Sequence, residues 1–248
     1  MSLNRKKHKV IAMVPAKIGS KRLAMKNLAL LDGEPLIYYA VQAAKKSRVF
    51  DKVVINAEDM IFEGIAKRYN VDFYKRPDSL VKPTTKTDTV VYDFLLKNPC
   101  DIVAWVSPIA PLQSAQEVRR IVQHFLNKKF DSLMTVKNEQ VHCVYKDKPI
   151  NFNFDEIFAQ TQDLLPIQSF VYSVMMWRSQ TFMRTFEENG YALLCGKVGF
   201  YPVDKLSAII IKKKEDLLFA ESILNVIRLN EVYKVKYDKI ANIFLRGI

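Results

Sequence analysis

The stretch VPAKIGSKRLAMKN, residues 14 to 27, gathers four cations (Lys17, Lys21, Arg22 and Lys26) around Gly19 and Ser20. It follows directly on the apolar run KVIAMV, residues 9 to 14. Cationic side chains neutralise anionic oxygens, while a serine hydroxyl and exposed backbone N–H groups donate to them. A glycine lets the main chain approach a ligand closely or take a positive φ. The chemistry this set suits is the binding of phosphate or polyphosphate. No acid follows until Asp32, so the cations repel one another unless a polyanion lies among them or solvent and salt screen a bare basic loop. The spacing leaves both readings open, because the stretch is neither a Walker A nor a GxGxxG motif.

Other chemistries find less support. No Ser/His/Asp or Cys/His set suggests a nucleophile. The three cysteines, Cys100, Cys143 and Cys195, are odd in number and far apart. They read as reduced thiols of a cytoplasmic protein. His8, His124 and His142 are scattered, so no zinc site is expected. Trp105, Met175, Met176 and Trp177 read as sheet packing, and Asp88 and Asp93 as a cap and a surface charge on one helix. The 38 Lys and Arg against 26 Asp and Glu give a net charge of +12. These cations are spread along the chain, with small clusters at Arg5–Lys9 and Lys212–Lys214 and no accompanying nucleic-acid motif. A small anionic substrate accounts for a local excess without nucleic acid. No apolar run approaches the ~20 residues of a membrane span, and no signal peptide opens the chain.

A loop of this kind needs a scaffold, and the hydrophobic pattern supplies one. Short apolar runs at 9–14, 52–56, 71–74, 101–107, 132–136, 170–177 and 207–211 predict strands. Helical spacing predicts helices at 35–47, 59–69, 87–97, 115–128 and 214–229, with Asp59 as an N-cap. Strands alternating with helices of this length imply an α/β fold, a mostly parallel sheet with helices on both faces. Ligands of such sheets bind beyond the carboxyl ends of the strands, where the loop after the first strand lies. Residues 138 to 170 break the alternation and read as an inserted arm of short strands and loops.

The segment IAMVPAKIGSKRLAMKNLALLDGEPLIYYAVQAA resembles the start of the cytidylyltransferases that make CMP-sugars, most closely the CMP-N-acylneuraminate synthetases. The matching residues are Pro15, Ala16, Gly19, Ser20, Lys21, Arg22, Lys26, Asn27, Gly33, Pro35, Leu36 and Ile37. The likeness continues through VFDKVVINAED, RPDSL, TDTVVYDFL, VSPIAPL, QDLLP and EDLLFAE. It implies one Rossmann-like nucleotidyltransferase domain over residues 1–248, with 138–170 as a homodimerisation arm. It implies CTP and an acidic sugar such as a sialic acid as substrates. Lys17, Lys21 and Arg22 would carry the triphosphate charge during catalysis. Ala16, Gly19, Ser20, Lys26 and Asn27 would bind the nucleotide, and Ser107 and Gln162 the sugar.

The departures from the family pattern bear on mechanism. Lys17 stands where the family has an arginine, and Ile18 where it has a glycine. Ser107–Gln113 has lost several hydrogen-bonding groups, and Ser173 and Val174 replace an Asn-Gly pair. The family's magnesium-binding Asp-Ile-Asp reads Ile210, Ile211 and Lys212. The resemblance implies Mg²⁺, but its aspartate ligands are absent from these positions. The alternative to a synthetase is therefore a nucleotide- or sugar-binding homologue with impaired turnover.

Overall fold

The computed structural model describes residues 8–229, 237, 238 and 241. Seven strands form the main sheet: β1 Val10–Pro15, β2 Lys52–Ala57, β3 Asp72–Lys75, β4 Ile102–Val106, β5 Ser132–Glu139, β6 Ile167–Arg178 and β7 Val198–Pro202. The helices are α1 Leu36–Ser47, α2 Ile61–Tyr69, α3 Thr87–Lys97, α4 Ala115–Lys128, α5 Ser179–Asn189 and α6 Lys214–Leu229. The spatial order is β7-β5-β6-β4-β1-β2-β3. Every neighbouring pair is parallel except those made by β6, which runs against both β4 and β5. The expected α/β architecture is present.

Alternation along β1 explains the layering. Val10, Ala12 and Val14 face one side and pack with α1, α2 and α4, through residues such as Val41, Phe62 and Phe125. Ile11 and Met13 face the other side, with Val91 and Phe94 of α3 and Phe182 of α5. Both faces are covered, so β1 is a continuous buried run rather than an alternating one. Side-chain capping is seen at α4, and Asp59, expected as the N-cap of α2, bonds from one residue before the N-cap Met60. The Ser114 side chain accepts from the Glu117 amide at 3.1 Å, and Asp59 accepts from the Ile61 amide at 2.8 Å.

Two expectations are corrected. Residues 207–211 are not a strand. Their chain turns through bonds from the Ala208 amide to Asp204 and from the Ile209 amide to Leu206. Ile211 is apolar because it fills a satellite core with Leu31, Leu36 and Ala220. The seventh strand is β7, whose VGFYP sequence hides behind its glycine and proline. Helix α5 was not expected, although Phe182 and Phe186 share a face and Gly190, at φ 73°, stops the helix.

Asp88, expected as a cap of its own helix, bonds to another segment instead. It is 6% exposed and accepts from the amides of Ala192 and Leu193 at 2.6 and 2.9 Å. Asp93 accepts from the Tyr74 hydroxyl at 2.9 Å.

The segment 138–170 begins and ends as an antiparallel ribbon. Ile167 pairs with Glu139 and Phe170 with Val136. Beyond it lie a small hairpin, Val144–Tyr145 with Lys148–Pro149, and loops. The His142 ring stacks on Phe158 with centroids 3.9 Å apart.

Candidate functional site

The chain leaves β1 at the carboxyl end of the sheet, and the Ala16 amide still reaches the Asn56 carbonyl at 2.9 Å. Lys17–Asn27 then fold back over that end. The Asn27 side chain, only 5% exposed, donates to the Lys17 carbonyl at 3.2 Å and ties the loop's end to its start. The Ile18 amide donates to Glu58 Oε1 at 2.8 Å, and the Ser20 amide to the Ile18 carbonyl at 2.9 Å. Gly19 does not take the left-handed conformation; Met25 does, at φ 46°. A Cβ at Gly19 would meet nothing within 4 Å. Of the two reasons for a glycine here, the open approach over the backbone remains and the positive φ falls away.

Beneath the loop lies an ion pair that the sequence did not reveal. Arg76 follows β3 and is 4% exposed. Its Nη2 donates to Glu58 Oε2 and to the Ala16 carbonyl, both at 2.8 Å. Glu58, by its other oxygen, holds Ile18. One buried pair thus fixes both residues that flank Lys17. Burial pulls the Arg76 pKa below the ordinary arginine value, against the attraction of Glu58. The Arg76 Nε has no hydrogen-bond partner among the described residues.

Two cavities open on the loop. One, of about 270 Å³, lies between the loop, the segment from Arg76 to Val90, and Trp105–Ile109. Of the expected site residues, Ala16, Lys17, Ser20, Lys26, Asn27 and Ser107 line it. The other, of about 320 Å³, is lined by Gly19, Lys21 and Arg22 together with Lys212. Lys17, Ser20 and Lys26 border both. Gln162 borders neither; it is exposed on a short turn of the arm beside Gln160. A larger cavity, about 1020 Å³, lies at the opposite end of the sheet around Val10, Phe50 and Arg178 and holds none of the expected residues.

The sequence reading also missed Lys82, Thr85 and Thr87, which face the first cavity. Lys82 and Thr85 sit in a loop without periodicity and Thr87 opens α3; only their place after β3 at the ligand end would have pointed to them. Trp105 is not purely core. It packs against Val91 and Phe94, yet one side borders the first cavity.

The electrostatics are one-sided. Burial lowers the Lys26 pKa from its ordinary value of 10.5, and the nearby charges of Arg22 and Lys17 lower it further. Lys26 Nζ donates to the Ile211 carbonyl at 3.2 Å, which brings the loop against the segment before α6. The amides of Lys212 and Lys213 donate to Asp216 Oδ2 at 2.7 and 2.9 Å. Burial works to raise the Asp216 pKa, but these two bonds and the adjacent lysine charges outweigh it, so the pKa is lowered.

The donor set does not fit a divalent metal. Mg²⁺ takes oxygen ligands in octahedral geometry, usually with one or two carboxylates. No acidic residue lines either cavity. Ile211 is fully buried, Ile210 packs against the core, and Lys212 is a cation. Asp204 pairs with Arg120 at 3.0 Å, and one oxygen of Asp216 caps its own helix. Among the described residues no group of three or more His, Cys, Asp or Glu could hold a metal. Burial pushes the Cys195 thiol up to about 11 and raises Cys100, so neither of these two is activated as a thiolate.

Comparison with known proteins agrees with this geometry. The chain is 27% identical over 130 residues to an N-acylneuraminate cytidylyltransferase of Escherichia coli, covering 52% of this chain and 31% of that protein. It is 29% identical over 121 residues to a CMP-N,N'-diacetyllegionaminic acid synthase of Legionella pneumophila, covering 46% and 52%. These alignments span about a third to a half of the relatives' length. Among solved structures, a CMP:2-keto-3-deoxy-manno-octonic acid synthetase complexed with CTP has the same fold. Its TM-score is 0.67 at 12% identity, over 88% of this chain and 99% of that one. A 4-diphosphocytidyl-2C-methyl-D-erythritol synthase from Anaerococcus prevotii gives 0.59 at 12% identity, over 88% and 99%. The sequence model for cytidylyltransferases matches residues 11–205, an interval that runs from β1 past the loop and both cavities' strand ends to the turn after β7, and the chain belongs to the cytidylyltransferase family.

Proposed function

We propose that the protein activates an acidic sugar with CTP, giving a CMP-sugar and pyrophosphate. The observation that carries this reading is the cationic loop 15–27, poised over two adjoining cavities at the carboxyl end of the sheet. Relatives bear the names N-acylneuraminate cytidylyltransferase, CMP-N,N'-diacetyllegionaminic acid synthase and 3-deoxy-manno-octulosonate cytidylyltransferase. In the proposed arrangement the nucleoside occupies the part of the first cavity beside Thr85 and Thr87, with Ser107 on the sugar side. The phosphates extend into the second, where Lys21 and Arg22 meet their charge. A sugar hydroxyl oxygen attacks the α-phosphorus. The new P–O bond forms as the bond to pyrophosphate breaks, and the hydroxyl proton passes to water. Catalysis is positioning plus charge stabilisation by Lys17, Lys21 and Arg22. No step runs through a metal.

The test is pyrophosphate release with CTP, ATP, GTP or UTP and a panel of acidic sugars. Release with CTP and one acidic sugar is the expected result. CTP binding without release for any sugar would favour the second reading, a nucleotide-binding homologue; the absence of any acidic residue from the cavity walls supports that reading. No binding of CTP at all would reject both.

The Lys26 environment sets a pH signature. Its lowered pKa means that the folded protein binds fewer protons than the unfolded chain between that value and 10.5. Its charge therefore opposes folding below the lowered pKa, and stability gains as pH rises through this window. A bound triphosphate restores the proton. CTP binding at a pH between the lowered Lys26 pKa and 10.5 is expected to take up protons, as read by calorimetry in buffers of different ionisation enthalpy. Buffer-independent heats would place Lys26 away from the phosphates.

The arm exposes Ile157 at 98% and Leu165 at 80%, beside Phe158, Phe154 and Tyr145. This surface suits contact with a second copy of the chain, so the reading includes a homodimer; light scattering showing a monomer at micromolar concentration would overturn it. Among the described residues no helix is long and apolar enough to cross a membrane, and the reading places the protein in the cytoplasm.

A further inference from the structure

We infer that the site takes its polyphosphate without a divalent metal, Lys212 and its neighbours supplying the positive charge in place of an ion. The inference rests on the proposed reading of the site. Lys17, Lys21, Arg22 and Lys26 come from the loop. Arg76 and Lys82 reach the first cavity from beyond β3, and Lys212 reaches the second from before α6. No carboxylate lines either cavity, and of these seven cations only Arg76 has an acid bonded to its side chain among the described residues, Glu58 beneath the loop. Lys26 lies close enough to Arg22 and Lys17 that their charges add to burial in lowering its pKa, and a further cation entering among them meets repulsion with no carboxylate ligand from the cavity walls. A metal-free polyphosphate meets the opposite condition. It relieves that crowding. Magnesium bound to the nucleotide removes negative charge that these side chains are placed to meet.

The experiment is calorimetric titration of the intact protein with CTP and, separately, with inorganic pyrophosphate, each in EDTA and in excess Mg²⁺. Both ligands are expected to bind in EDTA, and Mg²⁺ is expected to weaken each by roughly tenfold, the loss of about one charge-assisted contact. In Lys212→Asp the affinity in EDTA should fall by about tenfold or more, and Mg²⁺ should now tighten binding. Lys212→Gln should show the first effect without the second. Binding of either ligand only in Mg²⁺ would overturn the inference. Pyrophosphate binding in EDTA without CTP binding would keep the metal-free anion site and reject the cytidylyl reading. Failure of both ligands under both conditions would overturn both.

Discussion

Arg76→Ala is expected to destabilise the protein by about 3–5 kcal/mol and to abolish tight CTP binding together. The magnitude follows from what is left behind. Arg76 and Glu58 meet at 2.8 Å with side chains 5% and 10% exposed. Removing the guanidinium strands a buried carboxylate, and breaking such a pair by one partner costs about 3–5 kcal/mol. The Ala16 carbonyl loses its donor at the same time. For a chain of this size, ~4 kcal/mol corresponds to a melting temperature lower by about 10 °C. Binding falls because the clamp shapes the loop: Glu58 holds Ile18 and Arg76 holds Ala16, so the cations between and beyond them lose their fixed base. The double variant Glu58→Gln with Arg76→Met separates fold from function. Neither of its side chains is a stranded charge, so it should recover much of the stability, while Ala16 stays unhooked from Arg76 and CTP binding stays weak. Denaturant unfolding and calorimetry on both variants check this. Parental stability in Arg76→Ala would mean that the pair carries no structural weight.

What the sequence disclosed, and what it hid, divides along the range of the interactions. β1, α1, α3 and α4 follow from apolar runs and helical spacing that are local and unbroken. The basic loop was legible because its residues are consecutive and their repulsion needs a reason. The clamp beneath it was not, because Glu58 and Arg76 stand 18 positions apart in sequence and meet only after β2 and β3 pair in parallel. Strand β7 and the run 207–211 were exchanged for a similar reason. Hydrophobicity reports burial, and Ile211 is buried by α6 and Leu31 rather than by a sheet. Asp88 read as a cap of its own helix because its actual partners, the amides at 192 and 193, lie more than 100 residues away. The position of Lys212 in the site was suggested by resemblance, and its approach to the loop became visible only through the Lys26 contact with Ile211.

The triple variant Lys17→Ala, Lys21→Ala, Arg22→Ala is expected to weaken CTP binding by roughly 10³-fold, since each charge-assisted contact contributes about tenfold or more and neighbouring losses do not simply add. Its stability is expected to move the other way. Lys17, Lys21 and Arg22 are exposed, and among the described residues no hydrogen bond or salt bridge joins their side chains to the fold. Two of them depress Lys26, so their removal relieves repulsion without leaving a buried group unsatisfied. A clamp residue such as Arg76 lowers stability and affinity together; a ligand-facing cation lowers affinity alone. Arg22→Lys is the finer probe. It keeps the charge and loses the planar fork that meets two phosphate oxygens at once, so its affinity should fall between parent and triple variant. The dependence on salt should also flatten in the triple variant, because fewer exposed charges remain to be screened. Calorimetry over a salt series and thermal melts on the same samples measure all three effects. CTP affinity in the triple variant within about twofold of the parent, far below the loss of even one charge-assisted contact, would return the loop to a solvated basic surface.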